Sequence, residues 1–173
     1  MAKVSAAMTK ALNAQVAREL QASHNYLAMS VYLEGRSLEH LAAFFVRQAD
    51  EERSHAMKLV AYLQEVGQAP VVPALTRPKA RYSSVADVFK TSLRQEQAVT
   101  RAIHEIVATA QAKNDYATFQ FLQWFVTEQV EEEASFSRLI DVIEMSQNFL
   151  QVEHYVRHMM AMQAEPGGTT ADG

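Results

Sequence analysis

Four glutamates and a histidine, with a glutamine beside them, occupy positions where a water-soluble helix should carry apolar side chains. Set at about 100° per residue, Leu12, Val16, Leu20, Leu27 and Leu33 form one stripe, with Tyr26 on the same side and Glu19 inside it. Downstream, Leu41, Phe44, Phe45, Leu59, Tyr62 and Leu63 form a second stripe that contains both Glu52 and His55. A third runs through Val85, Val88, Phe89, Val99, Ile103, Ile106 and Val107 with Glu96 at its centre. The fourth, Leu122, Phe125, Phe136, Ile140 and Ile143, contains Gln129 and Glu132. Each stripe thus aims a carboxylate at the interior.

An unpaired buried carboxylate costs several kcal/mol, or raises its pKa until it is neutral. No Lys or Arg lies in the stripes at that level, and Arg18 and Arg53 point elsewhere. Two divalent metal ions would balance four carboxylates. The i, i+3 spacing of Glu52 and His55 lets both reach one ion from a single helical turn. Hard carboxylates with an imidazole suit iron or manganese, and zinc can also bind such a set. The competing reading is that these are partly exposed surface acids, or two buried pairs of protonated acids.

The elements that must hold these residues follow from where helix breakers fall. The chain of 173 residues has five Gly and four Pro. Three prolines (Pro70, Pro73, Pro78) share one short segment, no Gly or Pro lies between Lys79 and Glu165, and only Gly35 and Gly67 interrupt the earlier part. Because these residues break helices most strongly, the pattern predicts α1 over 6–34, α2 over 38–66, α3 over 84–112, α4 over 116–145 and a short α5 over 147–163. Gly67 suits a stop for α2. Ser84-Val85-Ala86-Asp87 has the form of a capping box for α3, and Asn114-Asp115 suits a turn before α4. Short links make α1–α2 and α3–α4 antiparallel pairs. The long helices span about 43 Å at 1.5 Å per residue, and an extended link of about 16 residues covers that distance. The expectation is an all-α four-helix bundle with one long crossover between α2 and α3, running as one domain over 1–164, with a disordered tail over 165–173. Glu19, Glu52, Glu96 and the Gln129–Glu132 pair all fall near the middle of their helices, so they meet at one height whichever way each helix runs.

Composition removes other classes. Without Cys there is no disulfide framework and no thiolate metal site. A net charge of -4 argues against a nucleic-acid partner. No stretch approaches the roughly 18 apolar residues of a membrane span, and Met1-Ala2-Lys3-Val4-Ser5 is followed by no signal-peptide core. A cytoplasmic protein is expected.

With those residues in place, the sequence resembles the ferritins within the four-helix di-iron carboxylate group. The resemblance runs from about Leu12 to Tyr155 and rests on Glu19, on Glu51-Glu52-Arg53-Ser54-His55, on Glu96, and on Glu128-Gln129-Val130-Glu131-Glu132-Glu133. It implies a ferroxidase centre with Glu19, Glu52 and His55 around one iron, and Glu96 and Glu132 around the second. Glu52 would bridge the two, and Gln129 would sit beside the second. Fe(II) would be oxidised by O2 or H2O2 and stored as ferric mineral inside a homo-oligomeric shell of 24 subunits.

Departures indicate a non-haem prokaryotic type. Ser135 stands where an idealised pattern has a second His, and Arg53 where bacterioferritins carry a haem-ligating Met. Mini-ferritins that coat DNA build their site between subunits and lack a fifth helix. In the prokaryotic ferritins that this chain resembles, residues matching Glu51, Glu128 and Glu131 form a third iron site; a solvated acidic face is the plainer reading. The resemblance also suggests a redox-active role for Tyr26, against that of a core tyrosine with a satisfied hydroxyl. Trp124, opposite the α4 stripe, reads as an interface or secondary-core residue. Phe149, Leu150, Val152, Val156, Met159, Met160 and Met162 make α5 too apolar to stand alone, and His154 and His158 at i, i+4 could line a channel or bind metal there. A di-iron oxygenase or peroxidase acting on an organic substrate, and a purely structural shell subunit, are the competing functions.

Overall fold

The computed structural model of the chain describes residues 4–164; the tail expected over 165–173 lies outside the described residues. Five helices follow one another: α1 Ala6–Glu34, α2 Glu39–Glu65, α3 Val85–Ala112, α4 Tyr116–Met145 and α5 Phe149–Ala164. There is no strand among the described residues, and the all-α bundle expected from the spacing of breakers is the fold observed.

Local chemistry explains the boundaries. Ser5 caps α1 by accepting the Met8 N–H at 3.2 Å. At α3, Ser84 accepts the Asp87 N–H, and the Asp87 carboxylate accepts in return from Ser83 N–H, one residue earlier than a capping box requires. Asp115 caps α4 through Thr118, bonding both its N–H and its hydroxyl. Three helices end on a left-handed residue that returns N–H groups to the last turn. In α2 it is Gly67 (φ 71°), where the next N–H, of Gln68, bonds Leu63 O at 2.8 Å. In α3 it is Asn114, followed by Asp115 N–H to Ala110 O at 2.9 Å. In α1 it is Ser37 (φ 57°), since Gly35 keeps a right-handed conformation.

The link from 66 to 84 establishes the topology. Its residues bond to α1 in ascending order: Gln68 with Thr9, Ala69 and Val71 with Asn13, Thr76 with Gln21, and finally Tyr82 O with the Tyr32 hydroxyl. The link therefore climbs α1 from its start to its end. It delivers α3 to the end of the bundle where α2 began, so α2 and α3 run in the same direction.

The core is divided. One cluster is rich in aromatics, with Tyr26, Phe44, Phe45, Phe89 and Phe136, and it also takes Val152 and Val156 from α5. The other is mainly aliphatic, with Met8, Leu12, Val16, Leu59, Leu63, Ile103 and Ile106. The α5 helix lies against α2 and α4. Its Glu153 accepts from both His40 N–H and Leu41 N–H at 2.8 Å, and so supplies the N-terminal cap that Leu38 cannot give α2. Leu27 departs from expectation: it is 49% exposed. Standing one residue beyond Tyr26, it is turned about 100° away from the stripe, and Met29 and Leu33 fill the core there instead. No helix among the described residues is long and apolar enough to cross a membrane.

Candidate metal centre

A polar layer separates the two clusters. Glu19, Glu52, His55, Glu96, Gln129 and Glu132 come from near the middle of four helices of 27 to 30 residues, and none is more than 7% exposed. The tightest group is Glu19, Glu52 and His55, each of which offers one ligand atom within 4.8 Å of the others. Gln15, four residues before Glu19 and fully buried, donates to Glu19 Oε1 at 2.8 Å. The other oxygen, Glu19 Oε2, has no hydrogen-bond partner, and neither has Glu52 Oε2, which lies 3.4 Å from His55 Nδ1. Orphaned buried carboxylate oxygens are unfavourable for a fold, and the two glutamates that carry these bring ligand atoms from different helices to within 4.8 Å of each other and of one imidazole nitrogen. A hard cation would satisfy both.

Glu96 is held differently. The Tyr26 hydroxyl donates to its Oε1, and the Gln129 amide donates to its Oε2 at 3.3 Å, to its backbone oxygen at 3.2 Å and to Thr100 Oγ1 at 3.1 Å. Tyr26 is wholly buried, stacked on Phe136 and against Phe45. It satisfies its hydroxyl on a site carboxylate, so the core reading and the site reading of this tyrosine describe one geometry.

Burial dominates the proton affinities. It raises Glu132 to about 9, reinforced by the charges of Glu96, Glu51 and Glu128 and opposed by Arg47. Burial also raises Glu96 to about 7, against the lowering effect of the bonds from Tyr26 and Gln129. Glu19 is raised by burial, although hydrogen bonding to Glu52 and Gln15 works against it. Glu52 is raised well above the carboxylate range by burial and then by Glu96, Glu19 and Glu132, so three other acids bear on it. Burial and the nearby Lys58 bring His55 down to about 4, which leaves its imidazole neutral and able to ligate. A layer of carboxylates that repel one another around a neutral imidazole is arranged to exchange protons for cations.

Glu51, Glu128 and Glu131 meet where the layer reaches the surface. With Glu132 they line a cavity of about 380 Å³, together with Phe44, Arg47, Gln48, Ser135 and Gln163. Glu132 thus faces both the buried layer and this vestibule.

Several participants were not visible in the sequence pattern. Gln15 and Gln48 are buried one turn before Glu19 and Glu52, a spacing that could have marked them as supports. Gln48 donates to Glu51. Arg47 is a cation beside the acids, 3.5 Å from Glu51, where none was expected at this level. Trp124 sits against the centre, with its ring edge-on to His55 at 5.3 Å and Lys58 over its face at 4.2 Å. His154 and His158 are exposed on α5, one turn apart.

Comparison with known proteins gives the family and the fold. The family described as ferritin-like domain matches residues 9–146. A bacterial non-heme ferritin of Staphylococcus aureus (strain MRSA252) is 43% identical over 136 residues, 79% of this chain and 82% of that protein. The Staphylococcus haemolyticus (strain JCSC1435) protein of the same name is 40% identical over the same share. Among solved structures, an open pore ferritin of the archaeon Archaeoglobus fulgidus superposes with a TM-score of 0.87 at 31% identity, covering 91% of this chain and 98% of that one. A humanized archaeal ferritin gives 0.88 at 30% identity, covering 94% and 99%.

Proposed function

The chain belongs to the ferritin family, and from that premise we propose that it stores iron by oxidising it at the mid-bundle layer. The observation that carries the proposal is the grouping of Glu19, Glu52 and the neutral imidazole of His55 within 4.8 Å, with one buried oxygen of each glutamate unpartnered and with the charges of Glu96 and Glu132 acting on Glu52. Fe(II) is the substrate. Glu19, Glu52 and His55 hold one ion, Glu96 and Glu132 the other, Glu52 bridges them, and Gln129 steadies Glu96. Metal binding displaces the protons that burial keeps on these carboxylates. Two Fe(II) then yield one electron each to O2, which leaves with two protons as H2O2, or to H2O2, which leaves as water. The Fe(III) product hydrolyses water and moves on. Tyr26, hydrogen-bonded to Glu96, is an oxidisable group one bond from the second ion.

No haem is needed, and the acidic vestibule of Glu51, Glu128 and Glu131 offers a third iron site on the way out. Storage needs an enclosed space that one bundle lacks. The working form is therefore a homo-oligomeric shell, 24 subunits by family resemblance, in the cytoplasm and without nucleic-acid or membrane partners. An organic substrate is poorly served here, because the cavity that opens beside the centre is lined by four glutamates.

The test is anaerobic loading of purified protein with Fe(II), admission of air, and ferric formation followed by absorbance with size-exclusion of the product. A large particle holding many irons per chain, with initial oxidation slowed at least tenfold in Glu52→Ala and in Glu96→Ala, supports the reading. A small species that stops at two irons per chain overturns storage. Wild-type rates in both variants overturn the site.

A further inference from the structure

We propose that Arg47 is a built-in cation of the acidic vestibule, competing with the metal ion there and held in place by the C-terminal helix. This rests on the iron-handling reading of the site.

Among the residues that line the cavity, Arg47 is the one cation facing Glu51, Glu128, Glu131 and Glu132. It stands one helical turn before Glu51, with Nε 3.5 Å from the Glu51 carboxylate. Its guanidinium lies over the Phe44 ring at 5.9 Å, and its terminal NH2 donates to Gln163 Oε1 of α5 at 2.5 Å. Its Nε is buried and makes no hydrogen bond. The guanidinium is therefore fixed at the acid cluster without being fully satisfied by it, since only one of its faces carries a good bond, and that bond is to α5.

Two features show that the vestibule is more than a solvated acidic face. Glu132 opens into it while only 7% exposed and makes no hydrogen bond or ion pair among the described residues. Gln48, also buried, spends its amide on Glu51 and so orients that carboxylate. An oriented carboxylate and an unpartnered buried one share a cavity with a single positive charge. Glu51, Glu128 and Glu131, joined by Glu132 once an ion displaces its proton, leave the vestibule attractive to a divalent ion, and Arg47 weakens that attraction. A divalent ion entering the cavity meets the guanidinium at close range, and the two repel strongly in surroundings that water only partly screens.

Arg47 thus sets how long an ion stays. With it, the vestibule is a place of passage between Glu132 and the outside. Without it, the same four carboxylates are a trap. Because the guanidinium is held by Gln163, the position of α5 is coupled to that residence time, and Glu153 on the same helix ties α5 to the start of α2. Arg47 is a specificity-determining residue that touches no iron in the buried layer.

The experiment titrates the metal-free protein with Zn(II), which is redox-inert, by calorimetry. It compares wild type, Arg47→Gln, Arg47→Lys and Gln163→Ala, and it measures the initial rate of oxidation of the first two Fe(II) per chain in each. In Arg47→Gln the vestibule should bind Zn(II) about tenfold or more tightly, or bind it where wild type shows no third step. Gln163→Ala should shift in the same direction by less, and Arg47→Lys, which keeps the charge, should stay near wild type. Oxidation of later additions should slow in Arg47→Gln because ions leave more slowly, and the initial rate separates that effect from any change at Glu132, whose proton affinity Arg47 also lowers. Equal vestibule affinity in wild type and Arg47→Gln overturns the proposal, as does an equal gain in Arg47→Lys. Failure of the storage reading shows itself separately, as absent oxidation in wild type, and leaves the Zn(II) comparison intact.

Discussion

Raising the pH of the metal-free protein should destabilise it, in a window that the site defines. Glu132 binds its proton up to about pH 9 when folded and Glu96 up to about pH 7, against an ordinary value of 4.5 for each. A carboxyl whose folded pKa is raised stabilises the fold fully below its unfolded pKa, and that contribution is lost as pH rises through the folded one. His55 works in the opposite sense: lowered to about 4 from 6.5, it makes the fold gain stability as pH rises between those values. Below pH 6.5 the imidazole and the acids oppose each other; above it the acids act alone. From pH 6.5 to 9, Glu132 loses about 1.4 kcal/mol for each pH unit, roughly 3 kcal/mol in all. Glu19 and Glu52, raised by the same burial, add to the fall. For a chain of this length 1 kcal/mol moves Tm by about 2–4 °C, so Tm should drop by roughly 10 °C. The assay is thermal unfolding followed by circular dichroism in chelator at fixed ionic strength, repeated with Zn(II). Bound metal replaces the protons, so the slope should flatten with zinc. A metal-free Tm that is level or rising from pH 6.5 to 9 would refute the picture of carboxylates kept protonated by burial. So would an equal fall in Glu132→Gln.

Other perturbations probe the scaffold. Glu153→Gln neutralises the cap at the start of α2 and leaves one oxygen to accept where two did, because the amide NH2 cannot accept from an N–H; a loss of about 2 kcal/mol in urea unfolding is expected, the scale of charge-assisted bonds at a helix N-terminus. Gly67 and Ser37 form a pair of opposite sign, as both hold left-handed φ angles. Gly67→Ala should lower stability and Ser37→Gly raise it, each by about 1 kcal/mol in the same assay.

The helices were legible because their signals are local. Gly67, the proline cluster and Asn114 each break or turn the chain by their own backbone chemistry, and the long stretch without Gly or Pro left no alternative to long helices. The mid-helix acids stood out for a related reason: a stripe seen at 100° per residue makes a single Glu among Leu and Phe conspicuous. The polar supports were hidden because they depend on partners distant in sequence. Thr100 accepts from Gln129 across 29 positions, and Glu153 caps a helix that starts more than a hundred residues earlier. Ser37 was missed because it does a glycine's work without a glycine's signature. Arg47 was missed because a long side chain can carry its charge to an acidic cavity from a helix face that is not the core face.

The division of the core follows from what the layer must do. Six polar residues across the middle of a bundle interrupt apolar packing where it would be densest, so stability must come from either side of them. The aromatic cluster lies on one side, extended by Val152 and Val156 of α5, and the aliphatic cluster lies on the other. Within the layer the hydrogen bonds are unevenly distributed. Both oxygens of Glu96 are engaged, by Tyr26 and Gln129, whereas Glu19 and Glu52 each keep one buried oxygen free, that of Glu52 beside His55. Glu19 and Glu52 therefore present open ligand atoms, whereas Glu96 has its own held in position by neutral donors. A fold selected for stability alone would have paired the open oxygens or replaced them with leucine. Their persistence at the buried midpoint, where a missing partner costs most, is the feature that the proposed cation would account for.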